Sequence, residues 1–154
     1  MNYRKPFDAG LYAADDNAKH QVINWLERND FWAWVNPDQF GVDVLALRDT
    51  VDYAFEVEVK HNWTGPVFPF DGVHFAERKT KFTGSATHFT MLNHERDHVL
   101  LAPAKVVRSS PIVEKSTRLS AWEAFIEVPL ESCGVYSLDE IVPNEVWKGT
   151  DDGE

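Results

Sequence analysis

The apolar residues of this chain change their spacing near residue 30, and that change restricts the fold more than any other feature of the sequence. Before it, apolar side chains recur at helical spacing from Ala18 to Leu26. After it, residues 31–35 and those that follow alternate with a period of two, which is typical of strands. The pattern predicts an amphipathic helix that leads directly into a β-sheet, preceded by an extended arm over residues 1–10.

Three short strands are predicted after the helix, separated by turn-forming residues, and they form a meander over residues 31–35, 42–47 and 53–60. The rest of the chain predicts an irregular loop, a short helix, a hairpin and a late strand over residues 63–72, 73–81, 88–92 with 98–101, and 122–128. Helices and short strands in this mixture predict an α/β fold.

The length of 154 residues is that of one domain, predicted over residues 1–148, with an acidic and disordered tail over residues 149–154. The single cysteine, Cys133, excludes an intrachain disulfide, and no apolar run approaches the roughly 20 residues of a membrane helix. We therefore expect a cytoplasmic protein without a membrane partner. The net charge of −10 has the wrong sign for a protein that coats nucleic acid without specificity.

The third predicted strand carries charged residues on one of its two faces. Side chains alternate along a strand, so Glu56, Glu58 and Lys60 point to one side and their apolar neighbours to the other. An antiparallel strand with one solvent-facing side shows the same alternation, and a surface salt bridge between Glu58 and Lys60 would contribute little. By itself the pattern leaves a structural and a chemical interpretation open.

Asp43 favours the chemical interpretation. It interrupts the apolar run of residues 42–47, where a carboxylate is costly unless it is paired or binds a metal. A short turn between adjacent strands brings Asp43 towards Glu58, and Mg²⁺ prefers one or two carboxylates together with water and substrate phosphate. Lys60 beside such a site would orient the attacking water or stabilise charge on a phosphoryl oxygen. The set predicts metal-assisted hydrolysis of a phosphodiester.

These residues resemble the signature of the PD-(D/E)XK nuclease superfamily, in which an acid in one strand is followed by Glu-x-Lys in the next. The matching pieces are Gly41-Val42-Asp43-Val44 and Glu56-Val57-Glu58-Val59-Lys60. The order of elements over residues 14–92 is also similar, in the manner of small archaeal Holliday-junction resolvases and their phage relatives. The resemblance implies a restriction-endonuclease-like core, a mixed β-sheet flanked by helices.

The resemblance also implies a Mg²⁺-dependent nuclease that accepts Mn²⁺ and acts on nucleic acid, most readily DNA. Asp43 and Glu58 would be metal ligands, the Val59 carbonyl a further ligand, and Lys60 the catalytic lysine. A homodimer is expected by analogy, because two cuts need two sites.

The first helix departs from the superfamily's pattern. Many members add a glutamate from this helix, but the aligned position here is Lys19. Asp16, one turn earlier, His20, next to Lys19, or Glu27, further along, would have to take that role. The departure bears on a second metal ion and on activity itself.

Beyond the Glu-x-Lys strand, four residues are candidates for contact with nucleic acid. Arg78, Lys79 and Lys81 fall where the superfamily's second core helix is expected, and a solvated helix face is the alternative. Trp63 has the flat ring that stacks on a base, although a packing role is favoured over stacking.

Three other readings compete with a nuclease. A noncatalytic binding or assembly module would keep the fold without activity, in line with Lys19 and the negative charge. A DNA-mimic inhibitor would place Glu56 and Glu58 on open surface, away from any cleft.

The histidines of residues 94–98 suggest a zinc site, but the sequence of this segment predicts a hairpin loop with exposed histidines. Cys133 has no neighbouring base in sequence and is discarded as a nucleophile.

Overall fold

The computed structural model describes residues 9–115 and 123–148, and the side chains within them apart from those of residues 9–16 and 148. Two short 3₁₀ helices, Glu77–Phe82 and Leu130–Ser132, accompany the regular elements. In chain order these are α1 (Ala9–Arg28), β1 (Trp32–Val35), β2 (Val44–Arg48), β3 (Val51–Val59), β4 (Gly72–Ala76), β5 (His88–Leu92), β6 (His98–Pro103), α2 (Ala104–Arg108), β7 (Ile112–Lys115), β8 (Glu123–Pro129), β9 (Gly134–Ser137) and α3 (Asn144–Lys148).

Six strands form the main sheet in the order β1-β2-β3-β5-β6-β9. β3 and β5 run parallel, with Phe55 opposite His88, and the other neighbours in this sheet run antiparallel. The predicted meander and the later hairpin are therefore confirmed, and the parallel step between them makes the sheet mixed. Helices lie on both of its faces, as the α/β prediction requires.

The first helix ends where the sequence predicts but begins earlier. α1 stops at Arg28, and Asp30 takes a left-handed backbone with φ of 69° that turns the chain into β1. Asn29 fixes this end, since its side chain donates to the Trp25 carbonyl at 2.9 Å and accepts from the Val142 amide at 2.7 Å. Gly10 lies inside the helix and not in an extended arm, and the remainder of the predicted arm, residues 1–8, lies outside the described residues.

A second sheet, β4-β8-β7, packs against the main one. It corrects the first part of the helix predicted over residues 73–81, since only Glu77–Phe82 forms a helix, of the 3₁₀ type. Val73 and Phe75 instead alternate along β4 and pair with Val128 and Ile126 of β8. The partner strand lies some fifty residues away in sequence, so local periodicity does not reveal it. The predicted tail over residues 149–154 lies outside the described residues.

Two apolar clusters cover the two faces of the main sheet. On one face α1 and α3 pack over β2 and β3 around Trp25, Phe55 and Trp147. On the other face the second sheet packs over β5 and β6 around Trp63, Phe75 and residues such as Phe89. None of the described helices is long and apolar enough to cross a membrane. The second cluster stops short of the end of β3, which leaves a cavity beside that strand.

His88 is a polar residue enclosed by the first cluster. Its ring is fully buried and lies 5.2 Å from the Phe55 ring and 5.6 Å from the Trp147 ring, measured between centroids. Nδ1 is 3.0 Å from the Thr87 hydroxyl, and Nε2 has no hydrogen-bond partner among the described residues. Burial disfavours the imidazolium, so the pKa of His88 falls from 6.5 to about 3.

Acid is expected to destabilise the protein through His88. The unfolded chain takes up a proton on His88 near pH 6.5 while the folded protein does not until about pH 3. The free energy of unfolding should therefore be fully maintained above pH 6.5 and fall as pH drops, by about 2 kcal/mol at pH 5 from this group alone. Urea unfolding of wild type and of His88→Phe, each measured above pH 6.5 and at pH 5, isolates the contribution of His88 to the free energy of unfolding. An equal pH dependence in the two proteins would contradict it.

Candidate active site

Asp43 lies immediately before β2, not inside the strand as the sequence predicts. The turn before it is held by Asn36, whose amide donates to the Asp43 carbonyl at 3.0 Å and whose side chain donates to the Val42 carbonyl at 2.9 Å. Asp43 Oδ2 accepts a hydrogen bond of 2.9 Å from the Val57 amide of β3. This bond ties the carboxylate to the neighbouring strand and aims it along the end of β3.

Glu58 and Lys60 stand at the end of β3, on the lining of the same cavity as that carboxylate. The Lys60 amide donates to the Leu92 carbonyl at 2.8 Å, which continues the parallel pairing with β5, and its ammonium lies 5.1 Å from the centre of the Phe70 ring. Burial raises the pKa of Glu58 above its usual range, although nearby cations, Lys79 first, oppose the shift. Burial lowers the pKa of Lys60; Glu58 opposes that shift and the Lys115 ammonium adds to it.

Asp43, Glu58 and Lys60 line one cavity of about 1200 Å³, and Val59 lines it with them. The cavity is bounded by α1, by the end of β3 and by the second sheet. Its charged lining consists of five basic and five acidic side chains: Lys19, Lys60, Arg78, Lys79 and Lys115, with Asp43, Glu58, Asp71, Glu127 and Glu131. The whole chain has only 15 basic residues against 25 acidic ones, so the cavity is much less negative than the protein around it.

The face of β3 that carries Glu56 is buried and not open to solvent. Glu56 is 3% exposed, and its Oε1 accepts a hydrogen bond of 2.7 Å from the Lys79 ammonium of the first 3₁₀ helix. Burial raises the pKa of Glu56, and Lys79 opposes the shift. Lys79 lines the cavity, but its ammonium is paired with a buried carboxylate, so its contact with substrate phosphate stays a prediction. The DNA-mimic reading fails, since Glu56 is buried and Glu58 lies in a cavity.

The structure places Trp63 and Lys81, two further candidates for contact with nucleic acid, outside the cavity lining. Trp63 is fully buried against Phe68, with 5.2 Å between ring centroids, so it packs and has no face to offer a base. Lys81 is exposed but lies outside the cavity lining, with its ammonium over the Phe82 ring. Arg78 is exposed and lines the cavity, so it stays a candidate.

The first helix contributes a cation to the site. Lys19 lines the cavity, and its ammonium lies 3.7 Å from Asp43 Oδ1. His20 and Glu27 are exposed and do not line the cavity, so neither takes the role of the missing glutamate. The Asp16 side chain lies outside the described residues.

Zinc ligation by residues 94–98 finds no support. The segment is the predicted hairpin loop between β5 and β6, and His98 Nδ1 lies 2.9 Å from Asp97 Oδ1. Among the residues that the structure describes, no group of three or more His, Cys, Asp or Glu side chains is placed to hold a metal ion. Asp43 and Glu58 are two carboxylates on the lining of one cavity, and Mg²⁺ prefers one or two carboxylates together with water and substrate phosphate.

Sequence reasoning missed the residues that the second sheet adds to the cavity. His74 of β4, Lys115 of β7 and Glu127 of β8 line it together with the main-sheet residues. The alternation of His74 with Val73 and Phe75 was the available signal, since it marks a strand with one apolar face.

Among the comparisons with known proteins, the one with solved structures shows a similarity of fold. No protein-family model matches the chain, and no curated protein matches it. Among solved structures, Hjc, a Holliday junction resolvase from the archaeal hyperthermophile Archaeoglobus fulgidus, superposes with a TM-score of 0.51 at 11% identity. The chain has a restriction-endonuclease-like fold. The match covers 86% of this chain and 94% of the resolvase, so the likeness extends well beyond the residues 14–92 that the sequence indicated.

Proposed function

We propose that this protein is a metal-dependent nuclease that hydrolyses phosphodiester bonds in nucleic acid, and specifically in DNA. The observation that carries the proposal is the joint lining of one cavity by Asp43, Glu58 and Lys60. These are the two carboxylates and the amine that such hydrolysis needs. The structural likeness to a Holliday junction resolvase supports the same class of substrate.

Asp43 and Glu58 are the residues that would hold Mg²⁺ or Mn²⁺, with the Val59 carbonyl as the further ligand. The donor set fits a hard cation, since it is made of oxygen atoms and leaves positions for water and substrate phosphate. When bound, such a cation polarises the phosphoryl oxygen and supplies hydroxide at neutral pH. The Val57 amide donates to Asp43 Oδ2. The other oxygen, Oδ1, lies 3.7 Å from the Lys19 ammonium.

The remaining residues of the site stabilise negative charge. Lys60 is half-buried beside Glu58, so its ammonium acts at reduced dielectric on charge that develops at the phosphoryl oxygen. Arg78, exposed at the rim of the cavity, is placed to contact substrate phosphate. The lining has an even balance of charge in a chain of net charge −10, so it repels a polyanion less than the average charge of the protein would.

The noncatalytic binding or assembly module remains a second candidate because of one contact. The Lys19 ammonium neutralises Asp43 from 3.7 Å, at the helix position where many members of the superfamily have a glutamate. An ammonium there competes with a metal ion for the carboxylate. A module that has lost metal binding would keep this ion pair permanently.

Cleavage assays decide between the two candidates. We expect the purified protein to cut at least one labelled substrate in a panel of branched, duplex and single-stranded DNA and RNA in Mg²⁺ or Mn²⁺. EDTA should stop the reaction, because the two carboxylates need a cation to act on a phosphodiester. The panel also shows whether a junction is preferred. Absence of cutting in both metals across the whole panel would transfer the assignment to the noncatalytic module.

Sedimentation of the active protein, with and without substrate, addresses the expected homodimer. The compartment stays a prediction from the cysteine content alone.

A further inference from the structure

Three charged or polar side chains of the second sheet form a connected group on its side of the cavity. His74 and Glu127 are directly opposite each other on β4 and β8, and His74 Nε2 lies 2.9 Å from Glu127 Oε1. The Lys115 ammonium, at the end of β7, lies 3.4 Å from the same ring nitrogen. The Phe125 ring packs edge to face on the imidazole, with 5.9 Å between centroids. The proposed hydrolysis uses none of these side chains.

We propose that Lys115 binds a phosphate of the substrate strand that neighbours the scissile phosphate, and that His74 and Glu127 are positioning residues for it. This inference rests on the proposed function, because it assumes that a nucleic-acid strand occupies the cavity. The second sheet would hold the substrate, whereas the carboxylates and Lys60 of the main sheet would act on the bond that breaks.

The hydrogen-bond chemistry of the imidazole leaves the Lys115 ammonium available. When His74 Nε2 carries the proton that it donates to Glu127, the same nitrogen has no lone pair for Lys115. Among the described residues, no carboxylate lies within ion-pair distance of Lys115. The exposed ammonium therefore lies beside the imidazole with its protons available to donate to an anion.

Electrostatics favours an anion at this place. Lys115 lies close enough to Lys60 for the two ammonium groups to repel each other. Two like charges that face one cavity are unfavourable without a ligand, and an anion bound beside them relieves the repulsion. Glu127 is partly exposed, so its charge is screened by solvent and balances Lys115 only in part. A phosphodiester chain supplies negative charges at regular spacing, which suits a cavity with cations on two of its sides.

The test measures how affinity depends on salt. Binding of a fluorescent single-stranded oligonucleotide, followed by anisotropy in EDTA to prevent cleavage, is compared for wild type and Lys115→Ala over a range of KCl concentrations. We expect Lys115→Ala to bind about five- to tenfold more weakly at low salt, with a slope of log K against log salt shallower by about 0.7, the value for one lost phosphate contact on a single strand.

The controls use lysines and neighbours that the structure already distinguishes. Lys81→Ala removes an exposed lysine outside the cavity lining and should leave both affinity and slope unchanged. Lys115→Arg keeps the charge and should restore the slope, which shows that Lys115→Ala has not acted through misfolding. His74→Gln should weaken binding in the same direction and should raise KM more than it lowers kcat, as expected of a residue that positions Lys115.

The outcomes separate this inference from the proposed function. A wild-type protein that cleaves DNA, together with an unchanged salt slope in Lys115→Ala, overturns the phosphate contact alone. A wild-type protein that binds without cleaving, with the expected loss of slope, keeps the contact and refutes the nuclease. A His74→Gln variant whose kcat falls and whose pH profile changes would make His74 a proton donor in the reaction, which contradicts its assignment as a positioning residue.

Discussion

Replacing Lys60 with alanine is expected to lower the rate of cleavage by at least about 10²-fold, to the limit of detection, without unfolding the protein. Removing a single preorganised charge from a site that stabilises developing negative charge has an effect of this size. The fold should survive, because Lys60 follows the end of β3 and is half-exposed, and its backbone amide keeps the bond to Leu92. Its side chain gives up the contact with the Phe70 ring and the attraction to Glu58.

The matched variant is Lys60→Met, which keeps most of the side-chain length over Phe70 but removes the charge. Single-turnover cleavage in Mg²⁺ should be equally low for both variants, whereas urea unfolding should place both within about 1 kcal/mol of wild type. Lys81→Ala serves as the control for general loss of a surface lysine. Cleavage by Lys60→Ala at the wild-type rate would refute the mechanism, and a drop confined to the alanine variant would indicate that packing, not charge, is responsible.

The positions of Asp43 and Glu58 in the main sheet were predictable from local sequence because they depend on short-range order. The period-two alternation of β3 fixes the face of Glu58, and the short turn after β2 pairs the two strands so that Asp43 accepts a hydrogen bond from the Val57 amide. Both facts follow from residues fewer than twenty positions apart. The structure moves Asp43 to the residue before β2, a difference that changes its position in the strand but not its neighbours.

The second sheet was beyond local reasoning, and its consequences account for the corrections at the site. The choice between packing and contact with nucleic acid stayed open for Trp63 because nothing near it in sequence reveals a covering layer. β4 pairs with β8 across a separation of about fifty residues, and that pairing builds the layer that buries Trp63. The same layer brings Lys115 to the cavity. Contacts this distant in sequence are specified by packing, which a single-sequence pattern does not encode.

Replacing Lys79 with alanine is expected to destabilise the protein by about 3 kcal/mol at pH 7. The variant leaves the Glu56 carboxylate buried without its 2.7 Å partner. Its other oxygen, Oε2, already has no hydrogen-bond partner among the described residues. The cost of an unpaired buried charge is limited because the carboxyl then takes up a proton, and protonating it at pH 7 from an ordinary pKa of 4.5 costs about 3.4 kcal/mol.

This limit gives the destabilisation a pH dependence with a definite sign. In the variant the folded-state pKa of Glu56 rises further above its unfolded value, so the penalty is absent below about pH 4.5 and grows as pH rises. Urea unfolding of wild type and Lys79→Ala should therefore differ by about 3 kcal/mol at pH 7 and by less than about 1 kcal/mol at pH 5. A difference that stays the same at both pH values would point to lost packing of the lysine stem instead of the unpaired charge.

The double variant Glu56→Gln with Lys79→Met tests the net contribution of the ion pair to stability, because it removes both charges and keeps similar volumes. Its stability should lie within about 1 kcal/mol of wild type, as is common when a buried ion pair is replaced as a unit. Such a result would show that the pair contributes little net stability. The pair would then act on the site and not on stability: Glu56 adds negative charge close to Asp43, and Lys79 offsets both Glu56 and Glu58. The double variant should accordingly fold normally yet cleave more slowly, and wild-type cleavage by it would make the pair purely structural.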